Sequence, residues 1–256
     1  MLSQGGMTFV QWIMNGIWNN SVAGAPFPYI YNTLYCSLAG SLIGFAIGLP
    51  CAIYLAEFST RLRNFVKPSL EVLMGFPSVV MGLLILVLFC TTIFLNPLSS
   101  RGTCILAAFI VLGIMALPII VSVSEDSLRA VPQEQKEASY GLGATRWQTT
   151  TKVVIPSALS GISVAFLLAL LDVMGETMAV TLVIGPLIPP PVTLNPLAES
   201  DVVTTRIANL VTQVGEGGNL YYLALGLAVT LFILTVFTNL AIRIVKSRAN
   251  AGSPKV

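Results

Sequence analysis

Long apolar stretches separated by short polar connections are the dominant pattern of this chain. A membrane-spanning helix needs about 20 apolar residues, and four uncharged stretches are long enough: they are Leu34–Ala56, Val72–Leu95, Cys104–Val123 and Leu220–Ile242. A fifth stretch, Ser157–Gly185, is interrupted by Asp172 and Glu176. Because lipid offers no partner to backbone groups outside their own helix, the pattern predicts an all-α, polytopic membrane helical bundle with about five spans.

Composition narrows the chemistry further. The chain is 55% hydrophobic and 9% charged, whereas a soluble domain carries roughly 25% charged residues. It contains no histidine, the commonest general base and metal ligand. The cysteines lie in or beside apolar stretches without CxxC spacing, and we expect them to act as small buried hydrophobes: they are Cys36, Cys51, Cys90 and Cys104. We therefore expect no catalytic, cofactor or metal site on this chain, and no nucleic-acid partner.

The two ends of the chain differ from its apolar middle. No basic residue precedes the first apolar part, so the N-terminus does not fit a signal peptide. Thr8–Trp18 is too short to span and is rich in tryptophan, which is enriched at membrane interfaces. We predict an interfacial segment at 1–28, a transmembrane domain at 29–245 and a cytoplasmic tail at 246–256.

The distribution of lysine and arginine predicts the orientation, because these residues accumulate on the cytoplasmic side. In a five-span arrangement only Arg101 and Arg206 fall on the other side. The N-terminus is then outside, and the loop at 124–156 and the C-terminus are inside. An odd span number also argues against two equal inverted halves, which are common in secondary transporters. The cytoplasmic set comprises Arg61, Arg63, Lys67, Arg129, Lys136, Arg146, Lys152, Arg243, Lys246, Arg248 and Lys255.

The loop at 124–156 has the local signals of two short helices with a break between them. Pro132 suits the first position of a helix, with Glu134 in its first turn. Gly141 and Gly143 allow a positive φ at the exit. Thr145 and Gln148 form a capping-box pattern that starts the second helix, and Pro156 is expected to end it.

The same loop resembles the EAA signature of the permease subunits of ATP-binding-cassette (ABC) importers. That signature is Glu-Ala-Ala, three residues, Gly, nine residues, then Ile-x-Leu-Pro. This chain has Glu137, Ala138 and Ser139, then Gly143, and ends the motif at Pro156. The departures, which include Ser139, are all to similar residues, and the spacing is intact. The resemblance implies that these five residues form the coupling loop that docks on an ATPase subunit.

Further stretches are similar to the phosphate-uptake permeases, particularly the PstC type. They are RLRNFVKPSLEVLMGFPSVVMGL at 61–83, GETMAVTLVIG at 175–185 and TTRIANLV at 204–211. The resemblance implies a type I ABC-importer permease core in the cell membrane that carries an inorganic oxyanion, most plausibly phosphate. It also implies as partners two ATPase subunits that bind ATP and Mg, a sister permease and an external substrate-binding protein. Two departures are the N-terminus, where the family usually has a further span, and Asp172, where the family tends to have arginine.

The fifth apolar stretch predicts a break and a pair of candidate pathway acids. As one helix its 29 residues would be about 43 Å long, which exceeds a hydrocarbon core of about 30 Å. We therefore expect a break near Gly175. On a continuous helix Asp172 and Glu176 would share one face. An acid in the membrane interior costs on the order of 3 kcal/mol, so both should face the bundle, a water-filled path or a partner subunit. We expect a substrate pathway or gate that involves Asp172, Glu176, Thr177 and Arg206; the alternative is two solvated acids at the outer interface.

Three function classes compete. The first is the permease subunit, and the absence of a G-x-x-x-x-G-K-[ST] loop in this sequence requires that another subunit hydrolyse the ATP. The second is a secondary transporter that uses Asp172 and Glu176, which leaves the coupling-loop spacing unexplained. The third is an intramembrane enzyme, for which the sequence offers no nucleophile and base. Co-purification with an ATPase separates the first class from the other two.

Overall fold

The computed structural model describes residues 26–93, 102–188, 190–213 and 219–251, and the regular elements in these ranges are all helical. The α-helices are α1 (Pro26–Glu57), α2 (Thr60–Met74), α3 (Ser78–Ile85), α4 (Ile105–Arg129), α5 (Gln133–Gly141), α6 (Arg146–Thr149), α7 (Ile155–Met174), α8 (Met178–Val183), α9 (Val203–Gln213) and α10 (Asn219–Ala251). Two π-helical stretches, Leu86–Ile93 and Thr150–Val154, follow α3 and α6. The all-α prediction is confirmed. The predicted interfacial helix Thr8–Trp18 lies outside the described residues.

Three helices of the described part are long and apolar enough to cross a membrane: Pro26–Glu57, Ile105–Arg129 and Arg146–Met174. Each contains or overlaps a predicted span. A bent pair, Arg61–Met74 with Ser78–Cys90, is a fourth candidate, and α10 contains the shorter apolar segment Ala224–Leu240. The polytopic helical prediction therefore agrees with the structure.

The second predicted span, Val72–Leu95, is wrong as a continuous helix. The chain bends by 100° between its two helical parts. Pro77 precedes α3 in an extended conformation and Gly75 caps the end of α2. A proline disfavours helical geometry in the residue before it and has no N–H to donate. These two residues therefore end one helix and begin another.

The chain divides into two compact units. The first unit consists of the described parts of Met1–Gly40, Pro77–Leu112 and Val173–Phe237. Its apolar core contains Tyr29, Val203, Leu210, Ala224 and Leu227. The second unit consists of the described parts of Ser41–Phe76, Gly113–Asp172 and Thr238–Val256. Its core contains Ala52, Leu55, Val121, Leu128, Val131, Val154, Ala158 and Ile162.

Small residues allow close helix contact within the second unit. A Cβ atom at Gly44 would lie 2.7 Å from the carbonyl oxygen of Gly113, and one at Gly48 would lie 2.9 Å from Ile120 Cγ2. Both distances are shorter than real side chains tolerate, so α1 and α4 pack backbone against backbone at this point. Small residues at this spacing favour such packing between membrane helices.

Candidate functional site

The coupling loop forms two short, exposed helices in the second unit. Helix α5 begins at Gln133, one residue later than predicted, so Pro132 directly precedes the helix. Glu134 lies in the first turn, as expected. Glu137 and Ala138 are exposed on α5, and no residue of this helix is buried. Ser139 is half-buried, with its hydroxyl 2.9 Å from that of Thr149. The EAA residues therefore lie on an accessible helix that is tied to the second helix of the loop.

The turn between the two helices has the geometry that its sequence predicts. Gly143 has φ +84°, a conformation that glycine adopts without steric cost. Thr145 accepts a hydrogen bond from the Gln148 backbone N–H, and the Gln148 side chain accepts one from the Thr145 N–H at 2.8 Å. Leu142, directly before Gly143, is 91% exposed. The turn thus presents an apolar side chain to its surroundings on a firmly capped support.

Pro156 does not end the second helix as predicted. Helical structure continues from Arg146 to Met174. The π-helical stretch Thr150–Val154 directly precedes α7, and the Ile155 N–H bonds to the carbonyl of Thr150, five residues back. This wider turn relieves the clash that a proline ring causes with the carbonyl four residues earlier. The proline is therefore accommodated inside one long helix.

An ionic clasp, formed by Glu57, Lys136 and Arg146, holds the coupling loop to the end of α1. Lys136 Nζ lies 2.7 Å from Glu57 Oε1, with 11% and 5% of the two side chains exposed. The Arg146 guanidinium donates to the backbone carbonyl of Glu57 and lies 5.1 Å above the Phe58 ring. Sequence analysis missed this clasp. The available signal was an acid at the end of an apolar span, on the side that carries most of the lysine and arginine.

A second ionic cluster lies around Glu125, whose side chain is 1% exposed. Arg63 Nε lies 2.7 Å from its carboxylate and Lys67 Nζ 2.9 Å from it. Arg129 Nε is 3.5 Å away, and Lys67 also pairs with Asp126 at 2.6 Å. The cluster joins α2 to the end of α4. The cluster contains basic residues of two segments that the distribution of lysine and arginine predicts to lie on the same side of the membrane.

The predicted break near Gly175 is confirmed. Helix α7 ends at Met174 and α8 begins at Met178. Glu176 therefore does not continue the face of α7 that carries Asp172, and the shared face expected for a continuous helix does not form. The Glu176 carboxylate instead accepts a hydrogen bond from the Ala179 N–H at 3.3 Å. Thr177 is the residue before α8, and Asp172 lies exposed in the last turn of α7.

Glu176 lines a shallow recess of the first unit. The Glu176 carbonyl accepts a hydrogen bond from Thr204 Oγ1 at 3.1 Å, which links the break to α9. The recess is lined by polar side chains of α1 and α9 as well as apolar ones, including Thr33, Ser37, Glu176, Val180 and Thr204. The cavity of about 10 Å³ has room for about one water molecule, and the hydroxyl groups of Thr33 and Ser37 donate to backbone carbonyls of α1.

Arg206 lies on α9, one turn from Val202 at the start of this helix. Its side chain is only 9% exposed. Among the described residues of the first unit it is the single lysine or arginine. Ion pairs within 4 Å among the described residues do not include one between Arg206 and Glu176, two of the candidate pathway residues. Arg206 instead acts electrostatically on Asp201, a buried residue that sequence analysis did not consider.

The chain is similar to known transport proteins over most of its length. A family described as "Binding-protein-dependent transport system inner membrane component" matches residues 44–250. The chain is 33% identical over 184 residues to a probable ABC transporter permease protein, YqgH, of Bacillus subtilis; the match covers 70% of this chain and 60% of that protein. It is 34% identical over 227 residues to the phosphate transport system permease protein PstC of Mesorhizobium japonicum, covering 80% of this chain and 68% of that one.

Relatives of the PstA type match as well. The phosphate transport system permease protein PstA 1 of Mycobacterium tuberculosis is 32% identical over 173 residues, covering 67% of this chain and 55% of that protein. The chain thus spans between about half and two thirds of the length of these relatives.

Solved structures share the fold. One is the methionine ABC transporter MetNI in an inward-facing conformation, with a TM-score of 0.64, 20% identity, and coverage of 93% of this chain and 96% of that one. Another is a bacterial alginate ABC transporter in complex with a periplasmic protein that holds an alginate pentasaccharide, with a TM-score of 0.65, 20% identity, and coverage of 96% and 86%. The type I ABC-importer fold predicted from the coupling loop is confirmed.

Proposed function

Since this chain belongs to the family of binding-protein-dependent transport system inner membrane components, we propose that it is the permease subunit of an importer that carries inorganic phosphate into the cytoplasm. One observation carries the proposal: the exposed helix–glycine–helix of the coupling loop, anchored by the ionic clasp to the end of α1. The relatives described as phosphate transport permeases support the choice of substrate.

The partners follow from the same proposal. ATPase subunits bind ATP and Mg and hydrolyse the nucleotide, so this chain needs no cofactor of its own. Their docking surface contacts Glu137, Ala138, Ser139 and the turn at Gly143, while Pro156 lies in the long helix behind. A sister permease lies beside this chain in the bilayer, and an external substrate-binding protein delivers phosphate. The alginate transporter, which was solved with a periplasmic protein, supports this last partner.

The coupling proposal is tested by placing the same bulky residue at two neighbouring glycines. Gly143→Val forces a branched side chain into a positive φ, which changes the angle between α5 and α6. Gly141→Val adds the same volume at a position with a normal φ, and a Cβ at either glycine meets no atom within 4 Å. In proteoliposomes with the ATPase and binding protein, we expect Gly143→Val to lower ATP-driven phosphate uptake at least tenfold while the complex still assembles.

Gly141→Val should retain most of the uptake. Equal uptake by both variants contradicts docking through this turn, and uptake that needs an ion gradient but no ATPase contradicts the permease function. Competition by sulfate, molybdate and tungstate in the same vesicles identifies the oxyanion.

We also propose that the N-terminus is outside and the coupling loop and C-terminus are in the cytoplasm. The clustering of basic residues around Glu57 and Glu125 supports one cytoplasmic side for these segments. In a variant without native cysteines, single cysteines at Ser3 and Ser99 should react with an impermeant thiol reagent added outside. Cysteines at Ser59 and Ser247 should react only after permeabilisation. Reaction of the cysteine at Ser3 from the cytoplasmic side contradicts this orientation.

A further inference from the structure

Five buried polar atoms of the first unit have no hydrogen-bond partner among the described residues. We call the residues that carry them the Asp201 cluster: the atoms are Tyr29 Oη, Asn32 Oδ1, Ser200 Oγ, Asp201 Oδ2 and Arg206 Nε. Four of these residues are at most 1% exposed and Arg206 is 9% exposed. A buried polar atom without a partner costs about 1–3 kcal/mol. Native proteins therefore rarely leave several of them in one region without a further hydrogen-bonding group to satisfy them.

The cluster joins three parts of the chain. Asn32 on α1 donates through Nδ2 to the carbonyl of Asp201 at 3.4 Å and to that of Pro191 at 3.2 Å. The next residue, Thr33, accepts a hydrogen bond through Oγ1 from the Val203 N–H at 3.0 Å. The connection before α9 is thus fastened to α1 through its backbone. The unpartnered side-chain atoms remain available beside these bonds.

The chemistry of the five atoms fits water. Arg206 Nε is a donor, Asn32 Oδ1 is an acceptor, and the hydroxyls of Tyr29 and Ser200 can do either. An internal water molecule makes about three hydrogen bonds to buried polar groups that otherwise lack partners. One or two water molecules would therefore satisfy this mixture of donors and acceptors.

Asp201 is the titratable centre of this cluster. Burial raises the pKa of its carboxyl from 3.8 to about 7, against the opposing effects of the Val202 N–H and the Arg206 charge. The Val202 N–H bonds to the other carboxylate oxygen, Oδ1, at 3.0 Å. The charged or titratable groups that interact electrostatically with Asp201 are Arg206 on α9 and Tyr29 on α1. Glu199 lies two residues earlier in the same connection, and Glu176 lies next to α9, where its backbone carbonyl accepts a hydrogen bond from Thr204. Arg206 is the one cation among them.

We propose that the Asp201 cluster is a hydrated proton-binding site, in which internal water bridges Tyr29, Asn32, Ser200 and Arg206, and Asp201 Oδ2 takes up one proton from solution. The bond that forms is O–H on Oδ2, and no other group changes its covalent state. Protonation changes the net charge of the Asp201–Arg206 pair from zero to +1. Protonation of the site therefore adds one positive charge inside the first unit. This inference goes beyond the proposed function and does not depend on it.

Infrared spectroscopy on the full chain in lipid nanodiscs tests whether the Asp201 carboxyl binds a proton. The sequence contains only three aspartates, Asp126, Asp172 and Asp201. Labelling aspartate with ¹³C therefore isolates three carboxyl groups from all glutamates. Although desolvation opposes it, the hydrogen bond from Lys67 holds the pKa of the Asp126 carboxyl below its usual value, so Asp126 should be ionised at pH 6. The variant Asp172→Asn identifies any band that comes from Asp172. We expect an isotope-shifted carbonyl band of a protonated acid at pH 6 that disappears with a midpoint near pH 7.

The band should be absent in Asp201→Asn and unchanged in Asp126→Asn and Asp172→Asn. Absence of an isotope-sensitive protonated band in the wild type at pH 6 overturns the proposal, and this measurement needs no variant to fold. Survival of the band in Asp201→Asn also overturns it. The presence of internal water in the Asp201 cluster is tested by a high-resolution structure of the full chain in a bilayer. Density for water between Tyr29 Oη and Arg206 Nε supports the site, and direct protein partners for both atoms contradict it.

Discussion

The two units of this chain bury carboxylates in opposite ways. In the second unit, the side chains of Glu57 and Glu125 are at most 5% exposed, and each carboxylate has at least one cationic partner within 3 Å. In the first unit, Asp201 is fully buried, yet its Oδ2 atom has no hydrogen-bond partner among the described residues. A buried charge is stable only when it is paired, and a buried acid without sufficient pairing is neutralised instead. The second unit thus holds fixed charges, and the first holds a charge that depends on pH.

This difference matches what each region has to do. The clasp at Glu57 and the cluster at Glu125 keep the coupling loop and α2 in one geometry, because breaking either leaves a charge without compensation. The Asp201 cluster links α1 to the connection before α9 by bonds that survive either protonation state. Fixed pairing therefore suits mechanical coupling, and a titratable acid suits a response to the medium.

The largest effect should come from removing one partner of the buried pair at the clasp. Lys136→Met leaves Glu57 buried without its cation, and breaking such a pair typically costs about 3–5 kcal/mol. We expect a clear loss of thermal stability of the purified chain. Lys152→Met is the matched control, because Lys152 is exposed and should change stability by less than about 0.5 kcal/mol. The double variant with Glu57→Gln should recover part of the loss. Equal stability of the two single variants contradicts the importance of the clasp.

An intermediate effect should come from pH at Asp201. Its pKa is about 7 in the folded chain, against 3.8 for an unperturbed aspartate. The folded state therefore binds this proton more tightly than the unfolded state. Its stabilising contribution is complete below about pH 4 and is lost as the pH rises through 7. Between pH 6 and 8 the contribution of Asp201 to the free energy of unfolding falls by about 1.4 kcal/mol, which is the free energy that corresponds to one pKa unit.

The measurement is the difference in unfolding free energy between wild type and Asp201→Asn across this pH range. The difference should change with pH, since the asparagine variant cannot titrate at this position. A difference that is independent of pH between 6 and 8 contradicts the distinction drawn between the two units.

The smallest effect on stability should come from the acids beside the helix break. Asp172 is exposed and the Glu176 carboxylate accepts one hydrogen bond, which glutamine can also accept. Asp172→Asn and Glu176→Gln should each change stability by less than about 0.5 kcal/mol. If these acids serve the pathway together with Thr177 and Arg206, phosphate uptake or its pH dependence should change while the complex assembles normally. Wild-type uptake by both variants from pH 5 to 8 contradicts a pathway role.

Local signals predicted much of the coupling loop. The capping box of Thr145 and Gln148 and the positive φ of Gly143 depend on neighbours within four residues, so the sequence contains all that is needed to infer them. The break at Gly175 followed from the length of one apolar stretch. Pro156 was misjudged, because the local rule for proline did not anticipate the π-helical turn that accommodates it.

Contacts between residues that are far apart in the sequence could not be predicted from local signals. Lys136 and Glu57 are 79 positions apart, and Asn32 and Asp201 are 169 apart. Such pairs form only when helices pack against each other. The distribution of lysine and arginine can assign two residues to the same side of the membrane, but it does not show which residues are in contact. Asp201 was unremarkable in the sequence because its significance comes from burial among unpartnered groups.

The unbroken helix from Arg146 to Met174 can act as a lever arm. Its 29 residues give a length of about 43 Å at 1.5 Å per residue. A positive-φ glycine, Gly143, lies three residues before one end, and the break at Gly175 follows the other. A tilt of about 10° around the Arg146 end would displace the Met174 end by about 7 Å for this length. Had Pro156 ended the helix as its sequence suggested, most of that torque would be lost at a flexible joint. The π-helical turn at Thr150–Val154 keeps the segments before and after Pro156 in one continuous helix, so that a displacement at one end is transmitted to the other.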